Sequence, residues 1–232
     1  PENGFDVLRF FVGSEGTLGV VTEATVRLVA DPAVRVLVAL GYPDIATAGD
    51  AAHTLLGFGP TACEGLDSRI VDVVRARRGA AAVPPLPRGA AWLFVELSGD
   101  DADEVLARAR SVEHAAVAVD SLIVTDPGKA AQLWRIREDG AGLAGRSPAG
   151  RPAHSGWEDA AVPPERMGEY LREFESLLSR YGVTGYPYGH FADGCIHIRL
   201  DVPLEMPGMF REFLFAAGEL VASFGGSMSG EH

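Results

Sequence analysis

Apolar positions along the chain follow two different periods. Short apolar or alternating runs at 34–40, 61–66, 91–97, 115–124 and 157–162 predict strands. An alternating run at 20–29 predicts another, with Val21, Ala24, Val26 and Leu28 apolar and Thr22, Glu23, Thr25 and Arg27 between them. Helices are expected over 44–56, 68–78 and 101–112, and after Asp126-Pro127, where proline suits the first helical position. Two later segments carry the clearest helical spacing. Met167, Tyr170, Leu171, Phe174, Leu177, Leu178 and Tyr181 fall on one stripe, as do Phe210, Phe213, Leu214, Ala217, Leu220, Val221 and Phe224 before Gly225-Gly226. Residues 6–12 fit either a strand end or a single helical turn. Several connections are too short for crossovers. The expected class is therefore α+β: a ferredoxin-like antiparallel sheet with helices on one face.

The segment from Tyr186 to Arg199 organises the rest. Asp193-Gly194 is a dipeptide that favours a two-residue hairpin turn, because both central positions need φ > 0. That turn pairs 190 with 197 and 188 with 199, setting His190 opposite His197, with Cβ atoms roughly 4.5–5.5 Å apart. Ile196, Ile198 and Leu200 then face one way, and His197, Arg199 and Asp201 the other, together with Tyr188. Two imidazoles held that close suit one metal ion better than two protons. The competing reading is a hairpin with two hydrogen-bonded histidines.

With 232 residues, 47% hydrophobic and 22% charged, the chain can bury one large core or two small ones. A net charge of −12 and the lack of any cluster of five or more basic residues argue against a nucleic-acid partner. No apolar run approaches the roughly 20 residues of a membrane span. Two cysteines, Cys63 and Cys195, cannot build a disulfide framework and suit a reducing, cytoplasmic compartment, with attachment at a membrane surface left open. The chain opens on Pro1 and stops at Glu231-His232, which is expected of a piece of something longer.

The stretch Gly13-Ser14-Glu15-Gly16-Thr17-Leu18-Gly19 is too glycine-rich for a regular element and lets backbone approach a ligand. It fits neither the phosphate-loop nor the dinucleotide fingerprint. Running on through Val20-Val21-Thr22-Glu23-Ala24, it resembles the closing segment of the FAD domain in FAD-linked oxidases of the vanillyl-alcohol oxidase type. Gly189-His190-Phe191-Ala192-Asp193-Gly194-Cys195-Ile196-His197 and Ser229-Gly230-Glu231-His232 resemble that family's C-terminal domain, in the D-lactate, glycolate and D-2-hydroxyglutarate dehydrogenase branch.

The resemblance implies residues 1–30 as the end of an FAD-binding domain whose larger part is missing, and 31–232 as the substrate and metal domain. It implies FAD contacts at 13–19, a divalent metal, zinc by its ligands, on His190, His197 and Glu231, and His232 as base. The implied reaction oxidises the 2-hydroxyl of a small hydroxy acid, with hydride passing to flavin and on to an electron acceptor. The chain by itself is expected to be inactive. Arg137 and Arg199 suit the substrate carboxylate, since a guanidinium fork matches it bidentately. Tyr188 and Trp157 complete the expected substrate set. Arg199 stands where hydroxyglutarate-type members carry Asn, Trp157 where they carry Lys, and Ala141 where they carry Thr, so the substrate's side chain stays open. Two other readings remain: a zinc hydrolase, because the same ligands could activate water, and a non-catalytic ferredoxin-like binding module.

Overall fold

In the computed structural model, which describes residues 4–14, 16–147 and 151–230, seven strands form one antiparallel sheet. After a short helix α1 (Val7–Phe11) the order is β1 (Val34–Tyr42), α2 (Ile45–Leu55), β2 (Ala62–Asp67), α3 (Ser68–Arg78), β3 (Ala91–Gly99), α4 (Ala102–Ala115) and β4 (Asp120–Val124). Then come α5 (Pro127–Leu143), β5 (His154–Ala161), α6 (Met167–Tyr181), β6 (Gly185–His190), β7 (Cys195–Leu200) and α7 (Pro207–Ser223). The strands lie side by side as β4-β1-β3-β2-β6-β7-β5.

That order contains one pattern twice. β1-α2-β2-α3-β3-α4 and β5-α6-β6-β7-α7 share a β-α-β-β-α core, with α3 inserted between the second and third strands of the first unit. In both the third strand lies between the first two, the ferredoxin-like arrangement. The units join where β2 pairs with β6: Glu64 opposite His190, Gly65 opposite Gly189, Leu66 opposite Tyr188. In the first unit β4 closes the far side of β1. In the second, Ser227 bridges Ala161 and takes up the equivalent place beside β5.

Local sequence explains the helix starts. Asp44, Asp67, Asp101 and Asp126 each accept a backbone N–H of the first turn of α2, α3, α4 and α5. Such a cap contributes about 1 kcal/mol. The α6 stripe buries as expected, from Met167 to Leu178, and in α7 Phe213, Ala217 and Val221 are buried.

The antiparallel α+β class stands, but the helices do not share one face. Val36, Val38 and Leu40 point into a core with α2, α4, α6 and α7. Leu37, Ala39, Leu66 and Phe94 point into a second core with Ile70, Val71 and Val74 of α3 and Leu133 and Ile136 of α5. The apolar character of both faces of β1 is what requires the second layer. Segment 20–29 forms no ladder; it runs exposed, with Val20 and Leu28 89% and 87% accessible and no partner strand among the described residues. β4 starts later than expected because α4 continues to Ala115 and Val117 turns at φ 48°. β5 starts earlier, at His154.

Candidate functional site

The hairpin forms with a register two residues from the expected one. Tyr188, not His190, lies opposite His197, and Tyr186 opposite Arg199. Residues Phe191–Asp193 make a 3-10 turn, and Gly194 turns the chain at φ 76°. The cause is Phe191, which is fully buried in the helix-rich core with its ring over Gly65, where a Cβ would lie 2.4 Å from the ring carbons. Anchoring that ring takes 191–193 out of the ladder. A two-residue shift keeps every side chain on its face, whereas a one-residue slip would have reversed them. His190 and His197 therefore still meet, their rings 5.3 Å apart at 89°.

Each imidazole has its own carboxylate. Glu64 Oε1 is 2.5 Å from His190 Nδ1, and its Oε2 accepts from Arg137 Nε at 2.9 Å. His197 faces a bulge in β5: Trp157 pairs with Ile198 and Ala160 with Ile196, so Glu158 and Asp159 together oppose His197. Asp159 adopts φ 59° there. Its Oδ1 is 3.3 Å from His197 Nδ1, and Glu158 Oε2 is 3.5 Å away. The Asp159 backbone N–H is also within reach of Nδ1, at a longer 3.4 Å. Nδ1 of His190 thus faces Glu64, and Nδ1 of His197 lies among Glu158, Asp159 and the Asp159 N–H, so acids orient both rings. Asp159, Cys195 and His197 also bring ligand atoms within 4.8 Å of one another.

Tyr188 lies beneath, its ring 5.3 Å from that of His197, with the Arg137 guanidinium 5.6 Å from its centroid. Burial raises the Tyr188 phenol above its ordinary range and Glu158 adds to this; Arg199, which hydrogen-bonds it, and Arg137 pull the other way. The phenol is a neutral donor at any pH a cell reaches. Two buried atoms here have no hydrogen-bond partner: Glu158 Oε1 and Arg199 Nε. Unpaired buried polar atoms are costly and uncommon. One acceptor and one donor left open on the rim of an imidazole pair fit a ligand set of cation plus carboxylate.

His190, His197, Tyr188, Arg137 and Arg199 thus come together on one face, from β6, β7 and α5. Trp157 does not join them. Its Nε1 donates to Tyr170 at 2.9 Å and its ring stacks on Phe174, on the opposite side of the sheet, because an earlier irregularity between Ser155 and Trp157 sets Trp157, and not Gly156, opposite Ile198. Gly13, Ser14, Gly16, Thr17, Leu18 and Gly19 form a turn held by Thr17 to the Ser14 carbonyl at 2.9 Å, with Gly13 and Gly16 at φ 79° and 75°. Glu15, Glu231 and His232 lie outside the described residues. Sequence reasoning missed Glu64; its signal was an acid in the middle of an otherwise apolar strand. It also gave no role to Glu158 and Asp159, because two adjacent residues of a regular strand point to opposite faces.

Residues 31–232 match the family described as FAD linked oxidases, C-terminal domain. The D-lactate dehydrogenase of Archaeoglobus fulgidus is 32% identical over 99% of this chain and 50% of its own length. The D-2-hydroxyglutarate dehydrogenase of Pantoea ananatis is 26% identical over 98% of this chain and 24% of its own. The chain therefore spans between a quarter and a half of these relatives. Among solved structures, alkyldihydroxyacetonephosphate synthase superposes with a TM-score of 0.59 at 14% identity over 97% of this chain and 45% of that one. p-Cresol methylhydroxylase gives 0.57 at 15% over 86% and 45%. At such identities the structural likeness speaks for the fold.

Proposed function

Because the chain belongs to the FAD linked oxidases through their C-terminal domain, we propose that it is the substrate and metal portion of an FAD-dependent D-2-hydroxy-acid dehydrogenase, of the D-lactate, glycolate or D-2-hydroxyglutarate type. The observation that carries this is the pair of open atoms, Glu158 Oε1 and Arg199 Nε, beside two imidazoles backed by carboxylates. A 2-hydroxy acid offers an anionic carboxylate and a hydroxyl on adjacent carbons, and so asks for a cation and a guanidinium at close quarters.

On this reading His190 and His197 hold a divalent metal, zinc by its ligand chemistry, with Glu231 as third ligand. A metal there would lower the pKa of the bound 2-hydroxyl. Arg199 and Arg137 hold the carboxylate, and the Tyr188 phenol donates to an oxygen of the bound acid. His232 takes the hydroxyl proton as hydride leaves C2. FAD, the hydride acceptor, would be held mainly by protein outside this chain, with the turn at 13–19 touching it and 1–30 closing that domain. The chain alone has no turnover.

Titrating zinc into the chain, then D-lactate, glycolate and D-2-hydroxyglutarate, tests this. The expectation is zinc binding that His190→Ala and His197→Ala each abolish, and hydroxy-acid binding by the zinc-loaded chain only. Absence of zinc binding, or hydroxy-acid binding indifferent to those substitutions, overturns it.

A further inference from the structure

Glu64 belongs to β2, in the first half of the sheet, while the histidines belong to the second. It is only 7% exposed. The β2–β6 register sets it directly across from His190, and its two oxygens meet His190 Nδ1 at 2.5 Å and Arg137 Nε at 2.9 Å. A buried carboxylate costs several kcal/mol to desolvate unless its oxygens find donors. An imidazole nitrogen this close to a carboxylate oxygen must carry its proton, since two lone pairs would repel. The neutral ring is then protonated at Nδ1 and has its lone pair at Nε2.

We propose that Glu64 is the positioning residue of the site: it fixes the tautomer and pose of His190 for metal binding, and it aims Arg137 at the substrate. The proposal rests on the reading of His190 as ligand and Arg137 as carboxylate anchor. Engaging Arg137 through Nε leaves both of its Nη groups for a ligand, in the plane set by Glu64. One carboxylate thus links the group that would hold the cation to the group that would hold the anion. A purely structural Glu64–Arg137 pair would need no imidazole. A purely structural Glu64–His190 pair would need no guanidinium.

The test is nitrogen NMR of histidine-labelled, metal-free chain, beside zinc titrations of the wild-type and Glu64→Leu proteins. His190 should be the Nδ1–H tautomer in the wild type and lose that preference in Glu64→Leu, while the His197 signals stay in place. Zinc affinity should fall about 10- to 100-fold, the usual effect of removing an outer partner of a ligating histidine. An Nε2–H tautomer in the wild type overturns the proposal even if the variant does not fold. So does a variant with unchanged tautomer and zinc affinity. A wild-type chain that binds no zinc would refute the proposed function, and the tautomer would still decide the role of Glu64.

Discussion

Tyr188 sits directly opposite His197 across β6 and β7, the two rings 5.3 Å apart and inclined by 41°. This pair fixes the depth of the site: the phenol forms its floor, and the second imidazole stands one pleat further along β6. Because burial holds the phenol protonated, it keeps a hydrogen to donate. Tyr188→Phe removes that donor and the acceptor of Arg199, at a cost of about 1 kcal/mol in stability. Zinc affinity should be unchanged and hydroxy-acid affinity of the zinc-loaded chain reduced; calorimetry on the variant reads both.

Trp157 belongs to the core behind the sheet. Replacing it with Phe leaves the buried Tyr170 hydroxyl without its partner at 2.9 Å. We expect a loss of about 1–3 kcal/mol in unfolding free energy and unaltered zinc and hydroxy-acid affinities. Weakened ligand binding at unchanged stability would return Trp157 to the substrate site.

Two glycines in the left-handed region separate backbone strain from crowding. Gly182, at φ 63°, ends α6 with nothing within 4 Å of a built Cβ. Gly194, at φ 76°, would put that Cβ 1.9 Å from the Val162 carbonyl oxygen. Gly182→Ala should cost about 1–2 kcal/mol, the left-handed penalty alone. Gly194→Ala should cost a further ~1–3 kcal/mol and weaken zinc binding as well, because the displaced turn carries both histidine strands. Urea melts and zinc titration of the two variants make the comparison.

High pH should destabilise the chain through its buried thiol and phenols. Burial pushes the Cys63 thiol up from 9.0 to about 12 and the Tyr186 phenol from 10.0 to about 12, and it raises Tyr42 and Tyr170 as well. For each, the folded state holds its proton more tightly than the unfolded chain does. The stabilisation is therefore complete below the unfolded pKa and is lost as pH rises through the folded one. The melting temperature should be level up to about pH 9 and fall between pH 9 and pH 12. Cys63→Ala should delay the onset, and a scan of melting temperature against pH reads it.

Much of the fold was legible because its signals are local. Aspartate caps, the stripes of α6 and α7 and the run at 34–40 each specify an element from a few neighbouring residues. The placement of α3 and α5 on the second face was not, since it depends on which partners cover β1. The histidine pair was legible in kind and wrong in register: Asp193-Gly194 favours one turn, and the buried ring of Phe191 imposes another. The acids were harder. Glu64 reaches His190 only through pairing between strands 126 residues apart, and Glu158 reaches His197 only through a bulge that no alternation pattern shows.

The join between β2 and β6 makes this chain its own reassembly reporter. A cut in the connection between α5 and β5 would leave Glu64 and Arg137 on one fragment and both imidazoles on the other. Neither fragment would carry the complete constellation, and mixing them would recover zinc affinity only to the extent that the two edges zip together again.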